Sequence, residues 1–207
     1  MTKIIADQPA DATSDAPGPE FLPIRGLADI LTALLAVVVT FICVRLAIQL
    51  LSPGSVHYFT DFRLDKAADI TMLGLSILFL VWFYRARINA ERHGYPQRRA
   101  RGWAYAGWIV PIVNLWFPFQ IMGDIWRAGL PAWQRRETAW LPALWWTCWL
   151  LSGLGIFGAG SMSTSGFVPH VGAGTNTASR CFLALAGALL IAIIRTVSNG
   201  PVGSPLS

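Results

Sequence analysis

Apolar residues along the chain gather into four long runs, and a fifth apolar stretch between the second and third runs is interrupted by polar residues and prolines. The first run, Leu27 to Leu51, would reach ~37 Å as a helix, enough to cross a ~30 Å hydrocarbon core with tilt. The second, about Ala67 to Tyr84, would reach ~27 Å, which is short but adequate. The third runs from Trp140 to about Met162 and the fourth from Arg180 to Val197. This pattern predicts an all-α integral membrane protein with four transmembrane helices inside a membrane domain covering residues 25–198.

Local residues refine these spans. Asp29 sits near the start of the first, where a carboxylate favours a helix N-terminus. Arg45 lies about two turns from its end and is expected to snorkel or to face the bundle. Ser52-Pro53-Gly54 stops that helix. Trp82 and Tyr84 are expected to form an aromatic belt at the end of the second span. On the fourth, Ala184, Ala188 and Ala192 recur every fourth residue, a small-residue face expected to pack on Gly155 and Ala159 of the third.

The interrupted stretch, residues 103–130, carries Pro111, Asn114, Pro118, Gln120 and Asp124. Pro111 disfavours helix before it, and Pro118 suits the first residue of a second helix. Beyond it Gln120, Asp124 and Arg127 fall at i, i+4 and i+7, one face of an amphipathic helix with an Asp-Arg pair three residues apart. Asn114, Gln120, Asp124 and Arg127 are therefore the candidate polar site. Backbone freed at membrane depth usually lines protein or a cavity; the same face would equally suit an interfacial helix meeting headgroups and water. Asn114 could cap the second helix or bond across helices.

Charge decides between crossing and returning. Hydrophobic residues make up 54% of the chain and charged residues 13%, with a net charge of +5. If the broken stretch dips in and returns, or lies along the interface, both termini are cytoplasmic. Lys3, Arg25, Arg85, Arg87, Arg92, Arg98, Arg99, Arg101, Arg127, Arg135, Arg136 and Arg195 then lie inside, against Arg63, Lys66 and Arg180 outside. A full crossing would put Arg127, Arg135, Arg136 and Arg195 outside. The positive-inside bias favours four spans, a plasma-membrane location and a proline-broken re-entrant or interfacial segment.

The loop bearing Arg85, Arg87, Arg92, Arg98, Arg99 and Arg101 faces the single acid Glu91. Those arginines are candidate contacts for anionic lipid headgroups at the cytoplasmic face. Because the basic residues flank a span, topology explains them and no nucleic-acid partner is expected. Expected partners are the bilayer, and a membrane protein or a second copy of the chain.

No cofactor, metal or catalytic set is predicted. Gly153-x-Gly155-x-x-Gly158 matches a dinucleotide fingerprint as a string, but it lies in an apolar helix with no βαβ unit. Cys43, Cys148 and Cys181 sit singly in apolar runs and read as buried free thiols. His57, His93 and His170 are scattered, and no Ser/His/Asp set, H-E-x-x-H or P-loop is present. Residues 1–24, rich in Pro, Ala and Asp, are expected to be a disordered cytoplasmic tail and not a signal peptide, since acids stand where a basic region would be. Residues 199–207 read as a short C-terminal tail.

Two segments, WFYRARINA (Trp82 to Ala90) and GWAYAGWIVPIVNLWFPFQIMGDIWRA (Gly102 to Ala128), resemble an actinobacterial family of uncharacterised membrane proteins, domain of unknown function 4328. The tryptophans, Pro111, Asn114, Pro118 and Trp126 carry the likeness, which covers roughly Ile70 to Leu151. The resemblance implies membrane residence, and no functional residue can be transferred from it. Two functions follow from the residues themselves. One is a non-enzymatic accessory protein that binds partners at its cytoplasmic face. The alternative is a small transporter or channel-like protein whose Asn114, Gln120, Asp124 and Arg127 converge in a cavity with Arg45 or Asp29. An intramembrane enzyme would need two ionisable groups within hydrogen-bond reach.

Overall fold

A computed structural model describes residues 21–51, 62–131, 133–157, 160–163, 166–169 and 177–203. The helices are α1 (Arg25–Leu51), α2 (Phe62–Arg92), α3 (Trp103–Ile109), α4 (Phe117–Ala128), α5 (Gln134–Glu137), α6 (Trp140–Phe157) and α7 (Thr177–Asn199). Short 3₁₀ turns occupy Val113–Leu115 and Pro201–Gly203. A two-stranded antiparallel hairpin, β1 (Gly160–Ser163) and β2 (Gly166–Pro169), follows α6. The sequence pattern showed no strand there, and the third span correspondingly ends at Phe157 rather than near Met162.

Among the described residues three helices are long and apolar enough to cross a membrane: Arg25–Leu51, Thr71–Arg92 and Thr177–Asn199. The pair Trp103–Ile109 and Val113–Ala128 passes the same test together but is bent by 108°. The break follows from the prolines. Val110, just before Pro111, has left the helix for an extended conformation (φ −80°, ψ 112°), as the proline ring requires. Pro118 stands in the first turn of α4, where its missing N–H costs nothing. Gly107 lets the two arms fold together, because a Cβ there would lie 3.3 Å from that of Phe117.

Hydrogen bonds fix the direction of each long helix. The start of α1 and the ends of α2 and α7 meet at one end of the bundle. There Arg25 Nε donates to Ser198 O at 3.3 Å and the Trp82 indole N–H to Ser198 Oγ at 3.0 Å. At the opposite end Gln49 Nε2 donates to Thr177 Oγ1 at 3.1 Å and Arg180 Nη1 to Gln49 Oε1 at 2.8 Å. Ser179 donates to Ser152 O there, which places the C-terminal half of α6 at that far end. The broken stretch therefore leaves and rejoins the bundle at the same end, the one that carries the basic loop. Along the bundle α7 packs between α6 and α1, and α4 packs against α2, α6 and the end of α7.

Several sequence expectations need correction. α2 continues as helix to Arg92, eight residues past the expected end, so Arg85, Arg87 and Arg92 are helical and not in a loop. Trp82 is fully buried and hydrogen-bonded to α7 instead of forming an interfacial belt, while Tyr84 stacks on Tyr105 with ring centroids 4.8 Å apart. On α7 Ala184 is buried but Ala188 and Ala192 are exposed. A four-residue repeat drifts by ~40° per step around a helix, which carries the later positions off the interface. The expected packing on Gly155 and Ala159 lies outside the described residues. α7 comes close to α1 instead at Gly187, where a Cβ would meet Val39 Cγ2 at 2.5 Å.

The terminal segments also differ. Residues 1–20 and 204–207 lie outside the described ones, but Leu22 and Val202 are both held by Asn89. Its Nδ2 donates to Leu22 O at 2.9 Å and Val202 O at 3.0 Å, and its Oδ1 accepts from Leu22 N at 3.0 Å. Ile24 and Val202 are fully buried, so the flanks of the domain dock instead of trailing away.

Candidate functional site

The polar residues of α4 face the basic loop across the bundle's end. Asp124 is only 4% exposed. Its carboxylate accepts from the Arg98 backbone N–H at 3.0 Å, pairs with Arg127 and lies 3.5 Å from Arg98 Nε. Gln120 Oε1 accepts from Arg99 Nε at 3.0 Å. The Arg99 guanidinium also sits 4.0 Å above the Phe117 ring, a cation–π contact. The opposite face of α4, Ile121, Met122 and Ile125, enters the apolar core. Both sides of the helix are thus covered, one by core and one by residues 95–101. The amphipathic pattern of α4 is real, but its polar face is covered by the chain's own loop.

A second cluster supports that loop from α2. Arg87, 2% exposed, donates to Glu91 Oε2 at 2.8 Å and to Arg99 O. Arg101 grips the same carboxylate, with Nε 3.0 Å from Oε2 and Nη2 3.2 Å from Oε1. The bond to Glu91 pushes the Arg101 pKa further above its ordinary value, so both charges persist through the neutral range. A polar cleft of about 450 Å³ opens here, lined by Arg87, Glu91, Tyr95, Gln97, Arg98 and Arg101 among others.

The six arginines expected to meet headgroups accordingly divide. Arg98 and Arg101 have side chains 56% and 60% exposed at the mouth of the cleft. Arg85 donates to Pro23 O at 3.1 Å, Arg87 and Arg99 hold the loop, and Arg92 keeps one buried guanidinium nitrogen without a hydrogen-bond partner. Burial of Arg87 rests on Glu91 and a backbone carbonyl, neither of which a count of charges along the chain can rank.

Nor do the four candidate polar residues come together. Asn114 stands at the tip of the broken stretch, away from the Gln120, Asp124 and Arg127 cluster. Its backbone N–H donates to Val110 O at 2.8 Å, its side-chain Oδ1 is buried without a partner, and it does not cap α4. Asp29 is exposed on α1 near the basic end, and Arg45 lies over Phe41, 5.8 Å from its centroid, toward the far end. Among the described residues no cluster of His, Cys, Asp and Glu is arranged to hold a metal ion.

An aromatic group behind the site was only partly foreseeable. Trp108 of α3 meets Phe79 edge-on at 5.5 Å and Trp146 at 5.7 Å, and the Trp146 indole donates to Leu115 O at 2.8 Å. These contacts hang the broken stretch from α2 and α6. Its tip remains bare, with Ile109 79% and Ile112 71% exposed.

The model of a family described as Domain of unknown function (DUF4328) matches residues 64–199. The chain belongs to this family. No curated protein and no solved structure matches the chain. The DUF4328 match extends through α7, beyond the stretch of motif likeness that ends near Leu151, and contains every residue of the α4–loop cluster. Helix α1 lies outside it.

Proposed function

We propose that this DUF4328 protein is a four-span membrane protein without enzymatic activity. In this reading α1, α2, α6 and α7 cross the bilayer of the plasma membrane, and residues 103–130 form a re-entrant or interfacial segment on the cytoplasmic side with both termini. The protein acts as an accessory module that presents a preformed basic face to anionic headgroups and to a membrane partner or second copy.

The observation that carries the proposal is the use to which the polar residues are put. Gln120, Asp124 and Arg99 are engaged in joining α4 to the basic loop, and Arg87 in joining that loop to α2. That arrangement supports a rigid contact surface, whereas a transport site needs polar groups left free along a path. The return of the broken stretch to its starting end supports four spans, and its bare apolar tip suits the edge of a bilayer.

Topology is tested by a Gln134→Cys variant lacking the native cysteines. In intact cells an impermeant thiol reagent should leave it unlabelled until the membrane is opened. Labelling from outside would overturn the arrangement. The basic face is tested by flotation with phosphatidylcholine vesicles containing phosphatidylglycerol, using the detergent-solubilised protein. Double substitution of Arg98 and Arg101 by Ala should weaken salt-sensitive association several-fold, and unchanged association would remove headgroups as partners of this face.

A further inference from the structure

A cavity of about 240 Å³ lies between α1, α2, α6 and α7, and none of the contacts described above fills it. Its wall follows α2 from Met72 to Leu80 and α7 from Leu183 to Leu190, so it extends roughly 10–12 Å along the bundle. Phe79, Trp108 and Trp145 close it toward the basic end, Trp108 and Trp145 each packing on Phe79 at 5.5 and 6.5 Å. Apart from indole N–H groups its one polar side chain is Ser76, whose hydroxyl is already bonded to Met72 O at 2.8 Å.

Water is a poor occupant of such a space, because a buried water needs two to four polar partners. An apolar cavity of ~150 Å³ stays dry and takes up benzene, and this one is larger and elongated. The rim supplies a route. Met72 and Trp149 line the cavity yet are 38% and 43% exposed, and Ser76 beside Met72 is exposed as well. The mouth therefore faces sideways between α2 and α6, at the level of the apolar helix surfaces. Bilayer chains are the apolar material available at that level.

We propose that this cavity binds one acyl chain of a membrane phospholipid, inserted sideways between α2 and α6. The proposal rests on the membrane reading above. The aromatic floor sets the depth of insertion, and because Trp108 belongs to the broken stretch, that stretch and the lipid chain share a wall.

The test is photo-cross-linking of the full chain in phosphatidylcholine vesicles doped with a phosphatidylcholine carrying a diazirine midway along one acyl chain, followed by peptide mass spectrometry. Labelling is expected on the inward residues Leu75, Phe79 and Ala186 as well as on the outward residues Ile30, Val37 and Val44. Ala186→Leu, which fills the cavity from α7, should cut inward labelling at least five-fold and leave outward labelling unchanged. Ser76→Leu, from the opposite wall, should do the same and serves if the first variant misfolds. Outward labelling alone, or inward labelling indifferent to both substitutions, overturns the proposal. Inward labelling by a diazirine polyisoprenoid but not by the phospholipid also overturns it. Absence of label on every helix would instead defeat the membrane reading.

Discussion

Replacing Asp124 by Ala removes the acceptor on which the basic loop is hung. The buried carboxylate accepts the Arg98 amide at 3.0 Å, and a hydrogen bond to a charged group of this kind contributes about 1.5–3 kcal/mol. The side chains of its two arginine partners are 43% and 56% exposed, so each pairing adds only about 0.2–1 kcal/mol after solvent screening. The expected loss is therefore about 3 kcal/mol. At ~2–4 °C per kcal/mol for a chain of this size, the midpoint should fall by roughly 10 °C. Asn at the same position keeps an oxygen for the Arg98 amide and loses only the charge, so it should cost about 1 kcal/mol. The assay is the thermal midpoint of detergent-solubilised protein followed by circular dichroism. An Ala variant melting within 2 °C of the parent would refute the structural role of Asp124. An Asn variant of parental stability that abolished ion flux in proteoliposomes would favour the transport alternative.

Three further outcomes are expected. Asn89→Ala removes the bonds to Leu22 and Val202, should lower stability by about 2–3 kcal/mol, and should speed hydrogen exchange at Leu22 far more than in the middle of α1. Gly200→Ala sets a Cβ 2.1 Å from the Gly129 carbonyl oxygen, so the end of α7 must move off α4. The variant should be among the least stable single substitutions, read as loss of monodisperse protein on size exclusion. Trp82→Phe deletes the indole donor to Ser198; it should cost about 1–2 kcal/mol, whereas an interfacial Trp82 would make the change nearly neutral.

The long apolar helices were legible because their signal is local. Side chains such as Ile30, Val37 and Val44 are both apolar and exposed, a pattern compatible with an apolar surrounding such as a bilayer. The break at Pro111 was legible for the same reason, since a ring clash with the preceding residue needs no partner. The i, i+4, i+7 face of α4 was visible too, but what covers it was not. Arg98 and Arg99 reach Asp124 and Gln120 across more than twenty residues of chain, and no periodicity encodes such a pairing. The extra turns of α2 were hidden by composition. Arg85, Arg87 and Arg92 suggest a solvated loop until Glu91, Pro23 and Arg99 are seen to accept from them or, for Arg92, until its half-burial is. Phe21 to Ile24 and Val202 carried no pattern, and their docking depends on distant partners, Asn89 for Leu22 and Val202 and Arg85 for Pro23.

That asparagine has a consequence for how the chain is made. Leu22 is among the first residues of the domain to leave the ribosome and Val202 among the last, yet both are bound by the same carboxamide. The two Leu22 bonds can form once α2 is made, but the clasp is complete only when the turn after α7 has been synthesised, so the two flanks of the domain are joined last. Truncation before Val202 would leave Asn89 with an empty donor and the first helix loosely held. Incomplete chains should therefore be sensitive to proteolysis at their N-terminal side, far in sequence from the missing part.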